Sequence, residues 1–234
     1  MFAAVRNVDK YPDLAALGLR IYPHTQPGLP EKSTVIYTLP PLPPGEREEI
    51  RSFLYGISPR RFLYISATSV YGNQTHVTAD TPVDTRAEKA LKRIEDEIWV
   101  ESGPWSSLII RPAAIYGPGR GVHVRVKEGR ALRSSGIVSR IHVDDLAAVL
   151  EAGIFSDLIG TWPIADDRPC RSLEISTWCA RLLRLPPPNA APEPLEIGGR
   201  EVDGSQIREL LGVRLAYPTY EAGILASLAS ESAG

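Results

Sequence analysis

Cysteine is nearly absent from this chain of 234 residues: Cys170 and Cys179 are the only two, nine positions apart, with no Cys-x-x-Cys pair and no cluster of histidines around them. That usage argues against a disulfide framework and a zinc site, and it suits a reducing compartment, where isolated thiols stay idle. Nor does one sign of charge dominate. The 26 Lys and Arg against 28 Asp and Glu leave a net charge of -2, without the basic excess of a nucleic-acid surface. No apolar run approaches the roughly 18 residues of a membrane-spanning helix. The first residues also lack the charged start and apolar stretch of a secretion signal. The cytoplasm is therefore the expected compartment, with neither nucleic acid nor membrane as a partner.

What is present is a globular balance of 43% hydrophobic and 23% charged residues. A chain of this length supports one doubly wound domain, alone or with a small appendage, around a core that needs no covalent staples. Short apolar runs alternate with amphipathic stretches, the pattern of βαβ units around a mostly parallel sheet. The runs are 2–5, 34–38, 62–66 and 108–111, with shorter ones at 20–22, 138–141 and 161–164. Between them, 11–17, 46–55, 85–101, 144–155 and 173–183 carry the apolar period of helices. In the longest, Ala90, Leu91, Ile94 and Ile98 form the stripe expected to face the sheet, leaving Lys89, Lys92, Arg93, Glu95 and Asp96 mostly to other faces. The prolines of 39–45 fix φ and lack donors, so that stretch is expected as a loop leaving the strand at Thr38. A second Pro-rich stretch, 185–194, precedes a tail that ends in another helix. A main domain over 1–159 and a small substrate-side subdomain over 160–234 are expected.

The stretch Phe62-Leu-Tyr-Ile-Ser-Ala-Thr-Ser-Val-Tyr-Gly72 resembles the signature of the extended short-chain dehydrogenases, in which a strand ends in Ser-Ser and runs on to Val-Tyr-Gly. Three more stretches resemble that family's motifs in its order: Leu108-Ile-Ile-Arg-Pro-Ala-Ala-Ile-Tyr-Gly-Pro-Gly119, Arg140-Ile-His-Val-Asp-Asp-Leu-Ala147 and Leu210-Leu-Gly-Val-Arg-Leu-Ala-Tyr-Pro218. The charged segment 82–97 resembles the atypical, NAD-dependent epimerase/dehydratase-like branch, where an Arg-rich segment replaces the usual Tyr-x-x-x-Lys. The resemblance implies a Rossmann-like α/β fold, a doubly wound and mostly parallel sheet with substrate-facing loops at its carboxyl edge.

The family's chemistry needs a Tyr that moves a proton, a Lys that lowers its pKa, and a Ser or Thr that holds the substrate oxygen. Carried over by position, the hydroxyl residue falls on Ala67, flanked by Ser66 and Thr68; the Tyr falls on Lys89 and its Lys partner on Arg93. Arginine stays protonated, and lysine acts as a base only when strongly desolvated. Two such cations one helical turn apart favour an anionic ligand, so no catalytic residue is assigned. The family's GxxGxxG turn is missing too. Residues 1–10 resemble its second strand and the turn after it, so the first strand, central in such a sheet, lacks a counterpart and leaves two unpaired inner edges. A start codon assigned too late, a genuine truncation and a fragment are the three explanations.

The resemblance places cofactor contacts at Arg6 and Asn7, at Leu39 and Pro40, at Ser66 and Ala67, and at Pro112, Ala113 and Ala114. NADP or NAD is expected to bind only when the N-terminal unit is supplied, with Arg6 favouring the 2′-phosphate of NADP. On the substrate side it places Thr68, Tyr71, Lys89, Arg93, Arg140 and His142, although His142, between apolar neighbours, reads more simply as an inward-facing, hydrogen-bonded residue. Arg120, Arg125 and Arg140 fall where extended relatives contact nucleotide-sugar phosphates. Asp144 is expected to cap a helix start, and Gly117-Pro118-Gly119 to turn backbone groups toward the sheet edge. The expected function is binding of NAD(P) or a phosphorylated metabolite with degenerate catalytic residues and no metal. An active NADP-dependent reductase or epimerase, and a metabolite-sensing interaction protein, are the alternatives, with a homo-oligomer left open.

Overall fold

The computed structural model describes residues 1–24, 28–130, 136–186 and 199–233, the side chains of Lys89 and Ala233 excepted. The main sheet has four parallel strands in the order β10-β6-β4-β3: β3 (Thr34–Tyr37), β4 (Arg61–Ile65), β6 (Ser106–Pro112) and β10 (Gly160–Ile164). The apolar runs of β4 and β6 are near-continuous because each strand is covered on both faces. Phe62 and Tyr64 join Ile109 in one core, while Leu63, Leu108 and Ile110 join another, as the pleat requires.

The first face is covered by α2 (Pro44–Ile57) through Ile50, Leu54 and Ile57, and by α3 (Glu88–Glu101) through Trp99 and Val100. Phe62 stacks on Trp105 at 4.9 Å between ring centroids. The opposite face is covered by α5 (Val143–Ile154) through Leu146 and Val149, and by α7 (Ser205–Leu211) through Ile207. This is the doubly wound Rossmann-like arrangement expected from the alternation of runs.

Local details differ from the sequence reading for identifiable reasons. The Pro-rich loop stops earlier than expected, since Pro44 and Gly45 open α2; proline fits the first helical position, where its missing N–H has no partner to lose. The buried side of α3 is also rotated. Ala90 and Ile94 are buried, but Leu91 and Ile98 are exposed, and Asp96 and Glu97 are buried instead because arginines of neighbouring elements meet them. The single strand expected at 138–141 is two short ones, β8 (Ile137–Val138) and β9 (Arg140–His142).

Near the N-terminus, β1 (Phe2–Val5) and β2 (Arg20–Pro23) form a separate two-stranded parallel sheet. Among the described residues β1 pairs only with β2, and β3 only with β4.

β10 begins the part expected as a C-terminal subdomain, yet it is an outer strand of the main sheet, in register with β6 over its whole length. The rest of that part folds back over the carboxyl edge. β12 (Glu201–Val202) pairs with β5 (His76–Val77), and β11 (Cys170–Arg171) pairs with β8. The last helix, α8 (Tyr220–Ala233), lies against β9, which pairs with β7 (Ala114–Tyr116). Gly204 is where this return presses hardest: a Cβ there would lie 2.3 Å from the Ala165 nitrogen and 3.0 Å from its oxygen, and backbone cannot step aside. Gly204→Ala is expected to cost about 1–3 kcal/mol by overpacking, read as a lower urea midpoint. An unchanged midpoint would mean that the contact does not exist.

Candidate functional site

At the carboxyl edge, β4 runs into Ser66-Ala67-Thr68 and a short 3₁₀ turn over Thr68–Tyr71, while β6 runs into Ala113-Ala114. These exits enclose a cavity of about 340 Å³ whose wall includes Ser66, Ala67, Thr68, Ser69, Pro112, Ala113, Ala114, Arg120, Ser139 and Arg200. The structure therefore brings together seven of the residues singled out in the sequence: Ser66, Ala67, Thr68, Pro112, Ala113, Ala114 and Arg120. The site is fixed by ladder bonds that continue past the strands, with Ser66 N donating to Ile110 O at 2.8 Å and Ala113 N to Ile164 O at 2.9 Å.

Other expected residues lie elsewhere. Arg6 and Asn7 are exposed at the end of β1, where Asn7 caps a 3₁₀ turn. Leu39 packs against the first core and Pro40 is exposed, neither lining the cavity. Arg93 points its guanidinium at the Tyr64 hydroxyl, 3.4 Å away. The side chain of Lys89 lies outside the described residues. Arg140 lines an adjoining cavity of about 630 Å³ that shares Ala114, Ile115 and Arg120 with the first. Its guanidinium is buried, donating to Val138 O at 2.7 Å and meeting Cys170 Sγ at 3.2 Å.

Tyr71 and His142 line neither cavity. Tyr71 is fully buried, and its hydroxyl lies 3.1 Å from Arg111 Nη1, held there by an ion pair behind the cavity. In that network Arg111 donates to both oxygens of Glu97, at 3.0 and 2.7 Å, and Ser66 Oγ donates to Glu97 Oε1. Burial pushes the Tyr71 phenol upward, away from any role as a base. His142 caps α5: its Nδ1 accepts from Asp144 N at 3.2 Å, so the proton sits on Nε2, facing Ser227 Oγ at 3.1 Å. Burial lowers its pKa and keeps it neutral. The cap expected of Asp144 is thus made by His142. The neighbouring Asp145 is buried and accepts from Ala216 N and Tyr217 N at 2.7 and 3.1 Å, tying the return of the chain to α5.

The Gly117-Pro118-Gly119 turn is also engaged by protein. Gly119 N donates to Glu231 of α8 at 2.8 Å, and Lys127 reaches the same carboxylate at 2.6 Å. Those contacts, Lys127 first, hold the Glu231 carboxyl down to about 2.

Sequence reasoning missed Arg200, Arg111 and Glu97 as parts of this site. Arg111 had a visible signal: a cation inside an apolar strand of a sheet covered on both faces requires a buried acid. Arg200 had none, because its place depends on β12 pairing with β5, more than a hundred residues away in sequence.

The fit to a dinucleotide is partial. In this fold the pyrophosphate of a dinucleotide sits on free amides at a glycine-rich turn opening a helix. Among the described residues the exit of β1 is Arg6-Asn7, and the exit of β3 leads to α2, whose first turn has Pro44 without an N–H and Glu46 with a negative charge. The cavity walls themselves suit a compact polar or anionic group. Among the described residues there is no cluster of metal-ligating side chains and no helix long and apolar enough to cross a membrane.

No family model matches the chain. Among curated proteins it is similar to a 3-diazoavenalumate denitrifying reductase from Streptomyces, 30% identical over 119 residues, covering 47% of this chain and 38% of that protein. It is also similar to protein YeeZ of Escherichia coli, 32% identical over 165 residues, covering 68% of this chain and 59% of that one. The chain thus spans well under two thirds of the length of these relatives. Among solved structures, a functionally unknown conserved protein from Silicibacter pomeroyi superposes with a TM-score of 0.79 at 27% identity, over 97% of this chain and 89% of that one. MoeE5 in complex with UDP-glucose and NAD superposes at 0.75 with 16% identity, over 99% and 97%. The UDP-glucuronic acid 4-epimerase of Bacillus cereus in complex with NAD superposes at 0.72 with 14% identity, over 96% and 85%. The likeness shows the fold: the chain shares the Rossmann-like α/β architecture of these solved structures.

Proposed function

We propose that the carboxyl-edge cavity binds a phosphorylated small molecule, with NAD(P) as the second candidate ligand, and that the chain does not carry out ordinary hydride transfer. One observation carries the second half of this reading: the hydroxyls flanking the family's catalytic position are committed to a buried ion pair. Ser66 gives its proton to Glu97, and the Tyr71 hydroxyl faces Arg111. Ala67 stands where the substrate oxygen needs a donor, and Arg93, at the position of the family's lysine, contacts Tyr64. Thr68 alone of the three neighbouring positions keeps a hydroxyl unbonded within the described residues, and that is too little for a proton relay.

Support for the ligand comes from the cavity walls, which combine Arg120, Arg200 and serine and threonine hydroxyls, with no carboxylate among the described residues that line it. The solved neighbours hold UDP-sugars and NAD in the corresponding fold.

Calorimetric titration with UDP-glucose, NADP and NAD tests the ligand, and absorbance of NADPH mixed with UDP-glucose or small carbonyl compounds tests the chemistry. Binding without NADPH consumption is the expected result. Failure of all three to bind would withdraw the ligand. Consumption of NADPH that Thr68→Val abolishes would replace the second half of the proposal with the reductase reading, which the Streptomyces relative favours.

A further inference from the structure

Residues 199–203 form a strap along the cavity wall, which Gly199, Arg200 and Val202 line. It is sewn to both rims: Ser139 N donates to Arg200 O at 3.0 Å, Glu201 N to Thr75 O at 2.8 Å, Val202 N to Ser139 Oγ at 2.9 Å and Asp203 N to Val77 O at 2.8 Å. The strap thereby delivers the side chain of Arg200 to the turn that follows β4, where it donates to Thr68 O and, at 2.7 Å, to Gly72 O.

The electrostatics of that placement are unusual for this protein. Most other partly buried arginines near the sheet edge face an acid: Arg47 and Arg51 meet Asp96, and Arg111 meets Glu97. Arg200 is partly buried and makes no ion pair among the described residues; its pKa is lowered by that burial. Arg61 also rests mainly on carbonyl oxygens, but it lines none of the cavities described above and has Asp157 to offset its charge. Arg200 lines the cavity, where the two carbonyls leave part of its donor fork unused. Arg120, on the same wall, has no ion pair among the described residues either, and the hydroxyls of Thr68 and Ser69 are unbonded there. A desolvated cation without a counter-charge is costly, and a planar fork with free N–H groups matches the oxygens of a phosphate.

We infer that Arg200 is the anchor for a phosphate group of the ligand, with Arg120 as the second cation, and that the strap exists to bring this anchor to the cavity. The inference rests on the reading of the same cavity given above and names the group recognised and the residue that recognises it. Because the same guanidinium holds the Thr68–Gly72 turn, phosphate binding would also fix the turn that carries the Thr68 hydroxyl.

The test is calorimetric titration of the full chain with inorganic pyrophosphate at fixed ionic strength, for the wild type, Arg200→Gln and Arg120→Gln, with thermal melts of each. The wild type is expected to bind, Arg200→Gln to bind at least tenfold more weakly, and Arg120→Gln to bind several-fold more weakly with an unchanged melt. Wild-type binding with an undiminished Arg200→Gln overturns the anchor and leaves the cavity reading intact. No binding by the wild type overturns both. Should Arg200→Gln fail to fold, Arg120→Gln decides: undiminished binding there overturns the two-cation site.

Discussion

Glu97→Ala is expected to lower the stability of this protein by about 3–5 kcal/mol, the cost of leaving a buried charge without its partner. Glu97 and Arg111 are both nearly inaccessible, and the carboxylate accepts from Arg111 twice and from Ser66 once. Removing the carboxylate strands a guanidinium between the core of the main sheet and the Tyr71 ring, which it already overlies at 5.0 Å. At about 2–4 °C per kcal/mol for a domain of this size, the melting temperature should fall by roughly 10 °C. Glu97→Gln, which keeps acceptor oxygen for Ser66 and for one N–H of Arg111, should lose markedly less. The decisive comparison is the double variant Glu97→Ala with Arg111→Met. If the stranded charge is the cause, the second substitution restores part of the loss, and urea denaturation of the four proteins gives a large coupling energy. Additive losses would show that Glu97 matters only as packing.

The same pair engages two hydroxyls of the recognised motif. In this chain the acid on α3 and the cation on β6 draw Ser66 and Tyr71 into the core, so hydroxyls that the motif suggests for chemistry serve stability. The sequence displayed every member of that network but not its pairing. Ser66 and Tyr71 lie in the recognised motif, Glu97 closes the charged segment 82–97, and Arg111 ends the apolar run 108–111. The strands and helices were legible because period and proline placement are local. The rotation of α3 was not legible, since it is set by Arg47 and Arg51 of α2 meeting Asp96. Of the expected residues, those at the exits of β4 and β6 line one cavity because they follow adjacent strand ends. Arg200 was out of reach because a pairing across the whole chain places it.

Raising the pH is expected to destabilise the protein through Asp166, and Asp166→Asn to abolish that effect. The carboxyl lies just past β10, almost wholly buried; its Oδ1 accepts one amide, from Arg168 at 3.3 Å, and its Oδ2 has no partner among the described residues. Burial pushes its pKa up from 3.8 to about 7, against the pull of the Arg168 amide and the nearby Arg140, whose Nη1 is occupied by Val138 and Cys170. In the folded protein the group therefore holds its proton to near neutrality, whereas the unfolded chain releases it near pH 4. Between those values the folded state binds more protons than the unfolded one, so stability falls as pH rises. The contribution is fully present below pH 4 and gone once the pH passes about 7. At about 1.4 kcal/mol per decade of proton affinity, the ceiling on the loss is about 4 kcal/mol. Asp166→Asn places a neutral group of the same shape in that position. The variant should match the wild type at pH 4 and exceed it at pH 8 by up to about that amount, as read from urea midpoints at the two pH values. A gap of equal size at both would mean that Asp166 is already ionised in the fold, and that the buried oxygen has found a partner that the geometry does not show.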